Sequence, residues 1–149
     1  MTEGRKTPWH LWVVGVVATL WNAFGVTDYV MTRTRREAWI DQMMPGTDSA
    51  KIMAYIDAFP IWASAGWALG VWGALAGSLL LLARSRHAVA AFAVSLLGAI
   101  SGLGYQLANP IDIPEMTQGA NGVMPYVIIA IAALLLWYAV RQKAAGVLR

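Results

Sequence analysis

The chain has 149 residues, of which 58% are hydrophobic and only 13% charged, with 14 Gly, 8 Trp and no Cys. A soluble domain usually carries about 25% charged residues, and 11 basic and 8 acidic side chains cannot clothe a water-facing globule of 16.1 kDa. The mean hydropathy of +0.54 agrees, so disordered, nucleic-acid-binding and disulfide-stapled secreted classes are excluded and a small integral membrane protein remains.

The net charge of +3 is no nucleic-acid signal, because the basic residues sit at the ends of apolar stretches rather than in one patch. The absence of cysteine removes thiol catalysis, iron–sulfur ligation and Cys-zinc sites. Partners expected from composition are the lipid bilayer and either a second copy of the chain or another membrane protein.

A hydrocarbon core of about 30 Å needs about 20 apolar residues in a helix. Four stretches free of Asp, Glu, Lys and Arg meet this: Pro8 to Thr27, Phe59 to Ala83, Ala88 to Ala108 and Met124 to Val140. They predict an all-α, single-domain bundle over residues 1–149, with transmembrane helices over about 8–30, 59–83, 88–108 and 124–141. Barrel strands would alternate polar and apolar residues, which these runs do not.

Before the first span, Arg5-Lys6, an apolar run and Ala23-Phe24-Gly25 match the layout of a signal peptide. Trp12, Trp21 and the continuation into Val26-Thr27 favour an uncleaved span instead. Orientation follows from basic residues in short loops. With the N-terminus inside, Arg5, Lys6, Arg84, Arg86, Arg141, Lys143 and Arg149 are cytoplasmic, and only Arg33, Arg35, Arg36 and Lys51 are outside. Both termini are expected in the cytoplasm.

Polar residues of the first span come next. Asn22 lies deep, as a helix–helix anchor to Ser95, Ser101 or Gln106, or as a ligand. Asp28 lies near the outer end. An ionised Asp at mid-bilayer costs about 2.5–3.5 kcal/mol, so a carboxylate there is normally partnered or functional. Either Asp28 pairs with Arg33 or Arg35 or meets water, or it forms a proton or cation site opening outward.

The outer loop, about 31–58, follows. Residues 36–44 are amphipathic, Pro45-Gly46 turns the chain, and Thr47 and Asp48 are N-cap candidates. Ile52, Ile56 and Phe59 then share one helical face. Two short interfacial helices are expected, forming a cover or a substrate-gating lid.

The second span carries Gly66, Gly70, Gly73 and Gly77 on one face, and the third a small-residue stripe at Ala91, Ser95, Gly98 and Gly102. The first has Gly15, Ala18, Asn22 and Gly25. In lipid, small residues let backbones approach closely, so these faces are expected to pack the bundle or to receive a partner helix. Tyr105 and Gln106 end the third span near the level of Asp28. With Trp67, Trp62 and Tyr29 they form either an outward-facing polar pocket suited to a sugar or polyol, or part of an interfacial aromatic belt. The fourth span begins at Met124-Pro125. Pro8, Pro60 and Pro125 are all expected in first turns, where the missing N–H is not needed. That leaves unbroken rods, unlike the interrupted helices of many transporters.

Catalytic chemistry finds no constellation. His10 and His87 lie at the cytoplasmic end, about 30 Å from Asp28 and Asp57, and no phosphate loop, zinc motif or nucleophile elbow is present. Neither enzymatic activity nor a cofactor is expected.

The runs Leu20-Trp21-Asn22-Ala23-Phe24-Gly25 to Asp28-Tyr29-Val30-Met31 and Trp67-Ala68-Leu69-Gly70-Val71-Trp72-Gly73 to Gly77-Ser78-Leu79-Leu80-Leu81-Leu82 resemble a family of small four-helix bacterial inner-membrane proteins. Some of its members carry the label sugar transporter. The resemblance covers most of the chain through the third helix. It implies the four-helix architecture and a bacterial inner membrane, and it supplies no catalytic or binding residues. The leading expectation is an accessory or interaction component without catalytic activity. The alternative is a small-solute transporter for a sugar-like molecule or a cation, acting as an oligomer, with Asn22, Asp28, Trp67, Tyr105 and Gln106 along the pathway. Small four-helix drug exporters depend on a buried acid in mid-helix; here that place is held by Asn22, which cannot shuttle protons.

Overall fold

The computed structural model describes residues 6–149; Arg5, one of the residues used above for orientation, lies outside that range. The described residues fold into seven helices: α1 (Trp9–Arg33), α2 (Glu37–Met43), α3 (Ser49–Asp57), α4 (Ile61–Leu82), α5 (Ala88–Ala108), α6 (Pro114–Thr117) and α7 (Gly119–Ala144). Four of them, α1, α4, α5 and α7, are long and apolar enough to cross a membrane. Their outward surface is rich in large apolar side chains, and a few polar side chains are buried with the apolar core. Leu20 and Leu97 are each 68% exposed and Leu134 62%, whereas Asn22, Ser78 and Ser95 are buried.

The four long helices run up and down, α1 beside α4, α4 beside α5 and α5 beside α7. One end of the bundle, the loop end, carries α2, α3 and α6. The other, the terminus end, carries the start of α1, the α4–α5 turn and the end of α7.

The glycine stripes explain the α4–α5 seam. A Cβ on Gly98 would stand 2.5 Å from the Gly70 amide nitrogen and 2.6 Å from the Gly66 carbonyl oxygen. One on Gly66 would meet Ser101 Oγ at 2.6 Å, one on Gly77 the Phe92 ring at 2.6 Å, and one on Gly102 the Trp67 nitrogen at 3.0 Å. Gly73 is nearly as close, 3.2 Å from the Ala91 carbonyl oxygen. Backbone therefore meets backbone around Gly66, Gly70, Gly98 and Gly102, and at Gly77 the Phe92 ring fills the space that a side chain would need, so that close van der Waals contact joins the two helices. Ser95 Oγ adds a 2.7 Å hydrogen bond to the Gly70 carbonyl.

At the terminus end, Leu11, Leu81, Phe92, Leu135 and Ala139 form one apolar cluster, joined by Val147 and Leu148 beyond α7. The chain there leaves the helix at Gly146 (φ +75°). Arg149 then pairs with the α4–α5 turn: its N–H donates to the Arg84 carbonyl and its carbonyl accepts from Arg86 N–H, both at 2.8 Å. His10 Nδ1 and the Tyr138 hydroxyl share a hydrogen bond, closing α1 against α7.

The loop end has its own small core of Ile40, Ile52, Met53, Ile111 and Ile113. Asp48 caps α3, accepting from the amides of Ala50 and Lys51 at 3.0 and 3.3 Å, while Thr47 turns back to the Met44 carbonyl. Two short helices thus stand where the amphipathic loop predicted them.

Two expectations are corrected. The fourth long helix begins at Gly119 rather than near Met124, and Pro125 lies inside it. Gly119, Asn121, Gly122 and Pro125 read as loop residues in sequence, but a neighbour compensates for two of them. Gly122 packs against the Thr117 carbonyl so closely that a Cβ has no room there, and the Asn121 side chain donates to the Glu115 carbonyl at 2.8 Å. Pro125 offers no N–H to the carbonyl four residues back, that of Asn121. Pro125 therefore stands in the second turn rather than the first, within a helix that runs unbroken from Gly119 to Ala144. The short α6 had no counterpart in the sequence reading.

Candidate functional site

A cavity of about 330 Å³ lies at the loop end, beneath α2 and α3 and between the loop-end halves of α1 and α7. Every helix contributes to its wall. Asp28 comes from α1, Trp39 from α2, Trp67 from α4, Gln106 from α5 and Asn121 from α7, while Phe59 precedes α4. Four methionines, Met43, Met44, Met116 and Met124, fill wall between these polar and aromatic groups.

Three of the five residues singled out in the sequence, Asp28, Trp67 and Gln106, line this chamber. The chain brings them together because α1 and α5 both run upward. Asp28 and Gln106 thus reach the same level near their helix ends, and Trp67 sits one to two turns below the start of α4. Asn22 and Tyr105 stand elsewhere.

Asn22 is buried against α4, where its Nδ2 donates to Ser78 Oγ at 2.8 Å and to the Ala74 carbonyl at 3.2 Å. The sequence suggested partners on α5; the partners are on α4. Ser78 itself donates to the Ala74 carbonyl at 2.8 Å, so the three groups close a polar knot in an apolar seam. Interhelical hydrogen bonds in lipid average about 0.6 kcal/mol and reach about 1.7. Asn22→Ala is expected to destabilise the bundle by about 1 kcal/mol. Stepwise denaturation in mixed micelles, followed by helical circular dichroism, checks this, and a wild-type midpoint refutes it.

Tyr105 belongs to an aromatic chain behind the chamber. Its ring meets Phe59 at 5.0 Å and Trp62 at 5.5 Å; Phe59 in turn meets Tyr55 at 5.2 Å and Trp67 at 6.4 Å. Trp67 packs edge to face on Tyr29 at 4.9 Å. Such edge-on pairs add about 0.5–1.5 kcal/mol each beyond burial. They fix the Trp67 ring and so one wall of the chamber.

Asp28 accepts a hydrogen bond from Trp39 Nε1 at 2.9 Å. Neither arginine expected beside it is its partner. Arg35, at φ +56°, turns away and binds both carboxylate oxygens of Asp57 through one nitrogen, at 2.8 and 2.9 Å. Trp39 was missed as a site residue. Trp39 stands in a loop in sequence, and only the fold of that loop carries it onto α1.

The cover above is held at its edge. Lys51 Nζ donates to the Asp112 carbonyl and lies 3.7 Å from its carboxylate. Tyr55 donates to the Asn109 carbonyl at 2.7 Å. Burial, with a smaller electrostatic contribution from Tyr105, pushes the Tyr55 phenol above its ordinary pKa, which keeps it a neutral donor.

Below the chamber the bundle is filled. Leu11, Ser78, Leu81, Phe92 and Ala139 are all at most 1% exposed.

Comparison of the chain with protein-family models, curated proteins and solved structures finds no match. Its site is read from its own chemistry. Among the described residues, no three His, Asp or Glu side chains gather as metal ligands would. The chamber is lined by one carboxylate, the amides of Gln106 and Asn121, and aromatic and thioether side chains.

Proposed function

We propose that this chain is a multi-pass protein of a bacterial inner membrane, with both termini cytoplasmic, that acts as an accessory component by binding a small solute rather than by catalysis. The observation that carries this is the chamber itself. It is a half-open cavity of about 330 Å³ at one end of the bundle, with tightly buried side chains toward the other. Ligand sites are concave, mostly apolar and equipped with a few placed polar groups, and this chamber has that composition. The apolar exterior of the four long helices supports burial in lipid, and the basic turn Arg84-Ser85-Arg86 supports a cytoplasmic terminus end. The filled lower half supports a binder over a conduit.

Native mass spectrometry of the protein released gently from membranes is expected to show a retained small molecule. That adduct should be lost when Gln106 and Trp67 are both replaced by alanine. Retention unchanged by those replacements would count against the chamber as the site.

A second reading, transport by an oligomer, is favoured by one observation. Pro125 lies inside α7 where the helix lines the chamber, and its missing N–H leaves the Asn121 carbonyl without the usual donor four residues on. Solute flux in proteoliposomes above that of empty liposomes would favour it over passive binding.

A further inference from the structure

We infer that the chamber takes a monovalent organic cation: a tertiary or quaternary ammonium centre carried on an apolar body. The inference rests on the binding role proposed above and names its ligand class.

Charge comes first. Asp28 is the only Asp, Glu, Lys, Arg or His among the residues that line the chamber. At the loop end Arg35 is paired with Asp57 and Lys51 lies beside Asp112, and among the described residues neither Arg33 nor Arg36 forms an ion pair with Asp28. Trp39 Nε1 donates to Oδ1 of Asp28, and no hydrogen bond reaches Oδ2 among the described residues. The chamber therefore holds one carboxylate that is oriented but not neutralised. A partly dehydrated carboxylate favours a single positive charge far more than water does.

The walls select the kind of cation. A strongly hydrated metal ion needs several oxygen ligands, and a cavity of about 330 Å³ is much larger than one ion. An alkylammonium centre needs no such shell. It gains from aromatic faces within about 6 Å, best from tryptophan, and Trp39 and Trp67 both line the chamber, backed by Phe59. The methionines supply polarisable, adaptable walls of the sort that accept varied apolar bodies. A sugar fares worse. It needs a hydrogen bond for nearly every buried hydroxyl, but the lining amides and hydroxyls are few, and one of the two Asn121 Nδ2 hydrogens is taken by the Glu115 carbonyl.

The test is calorimetric titration of the full chain in lipid nanodiscs, with empty nanodiscs subtracted, using benzyltrimethylammonium, benzyl alcohol and glucose. Saturable binding of benzyltrimethylammonium is expected, about tenfold or more tighter than benzyl alcohol, with no saturable binding of glucose. Asp28→Asn keeps an acceptor for Trp39 and should abolish the preference for the cation; Trp39→Phe should weaken it. The selectivity of the unmodified protein needs no variant to fold. Equal affinity for the cation and benzyl alcohol, or binding of glucose in their place, overturns the cation class while leaving the binding role in force. Absence of saturable cation binding also overturns it. The binding role has its own test in ligand retention by mass spectrometry, so the two failures are distinguishable.

Discussion

Replacing Gly98 with alanine is expected to lower bundle stability by about 3 kcal/mol, and replacing it with leucine to prevent the bundle from assembling. The added methyl would sit 2.5 Å from one backbone atom of α4 and 2.6 Å from another. Flexible side chains can yield to such a contact; a helix backbone cannot. α4 and α5 would have to part along their length, loosening the hydrogen bond from Ser95 to Gly70 and the contacts at Gly66, Gly70 and Gly102. Gly25 is the matched control. Nothing lies within 4 Å of a Cβ built there, so Gly25→Ala should be neutral or stabilising by up to about 1 kcal/mol through helix propensity. Detergent-denaturation midpoints of the two variants check the contrast. Equal midpoints would mean that the seam is not held backbone to backbone.

The double replacement Val147→Ala with Leu148→Ala is expected to cost about 4 kcal/mol. Val147 is 3% and Leu148 5% exposed, packed with Leu11, Leu135 and Ala139 at the terminus end. That end faces water rather than lipid in the proposed orientation, so the ordinary hydrophobic effect applies there. Thermal unfolding in detergent measures it, and a shift within error of wild type would show that the segment merely lies on the surface. The magnitude is large for two residues because they also carry Arg149 to its paired hydrogen bonds with Arg84 and Arg86.

These two results bear on what was legible beforehand. Four uninterrupted apolar runs fix the number of long helices, because length and continuity in a hydrocarbon solvent admit little else. The spacing of Gly66, Gly70, Gly73 and Gly77 puts them on one face by helix geometry alone. Docking of Val147 and Leu148 was not legible, since two apolar residues after a glycine carry no periodicity. The early start of α7 was hidden by local composition: Asn121 and Gly122 argue against a helix until the neighbouring Glu115 and Thr117 are in place. The chamber was half legible. Asp28 and Gln106 sit near helix ends whose levels can be counted from sequence. Trp39 reaches Asp28 only through the path of a loop, and loop paths depend on tertiary contacts such as Ile40 against Ile111. Asn22 was legible as an anchor, but α4 and α5 both offered serines, and only the packing order decides between Ser78 and Ser95.

A cavity with a filled floor has a kinetic consequence. A ligand bound there as proposed would leave by the way it came, so that entry and exit follow one path in opposite directions. In the proposed orientation, the fraction occupied would then report the free concentration on the loop side of the bilayer. Slow passage under α2 and α3 would change how fast that report is made, and leave its value at equilibrium the same.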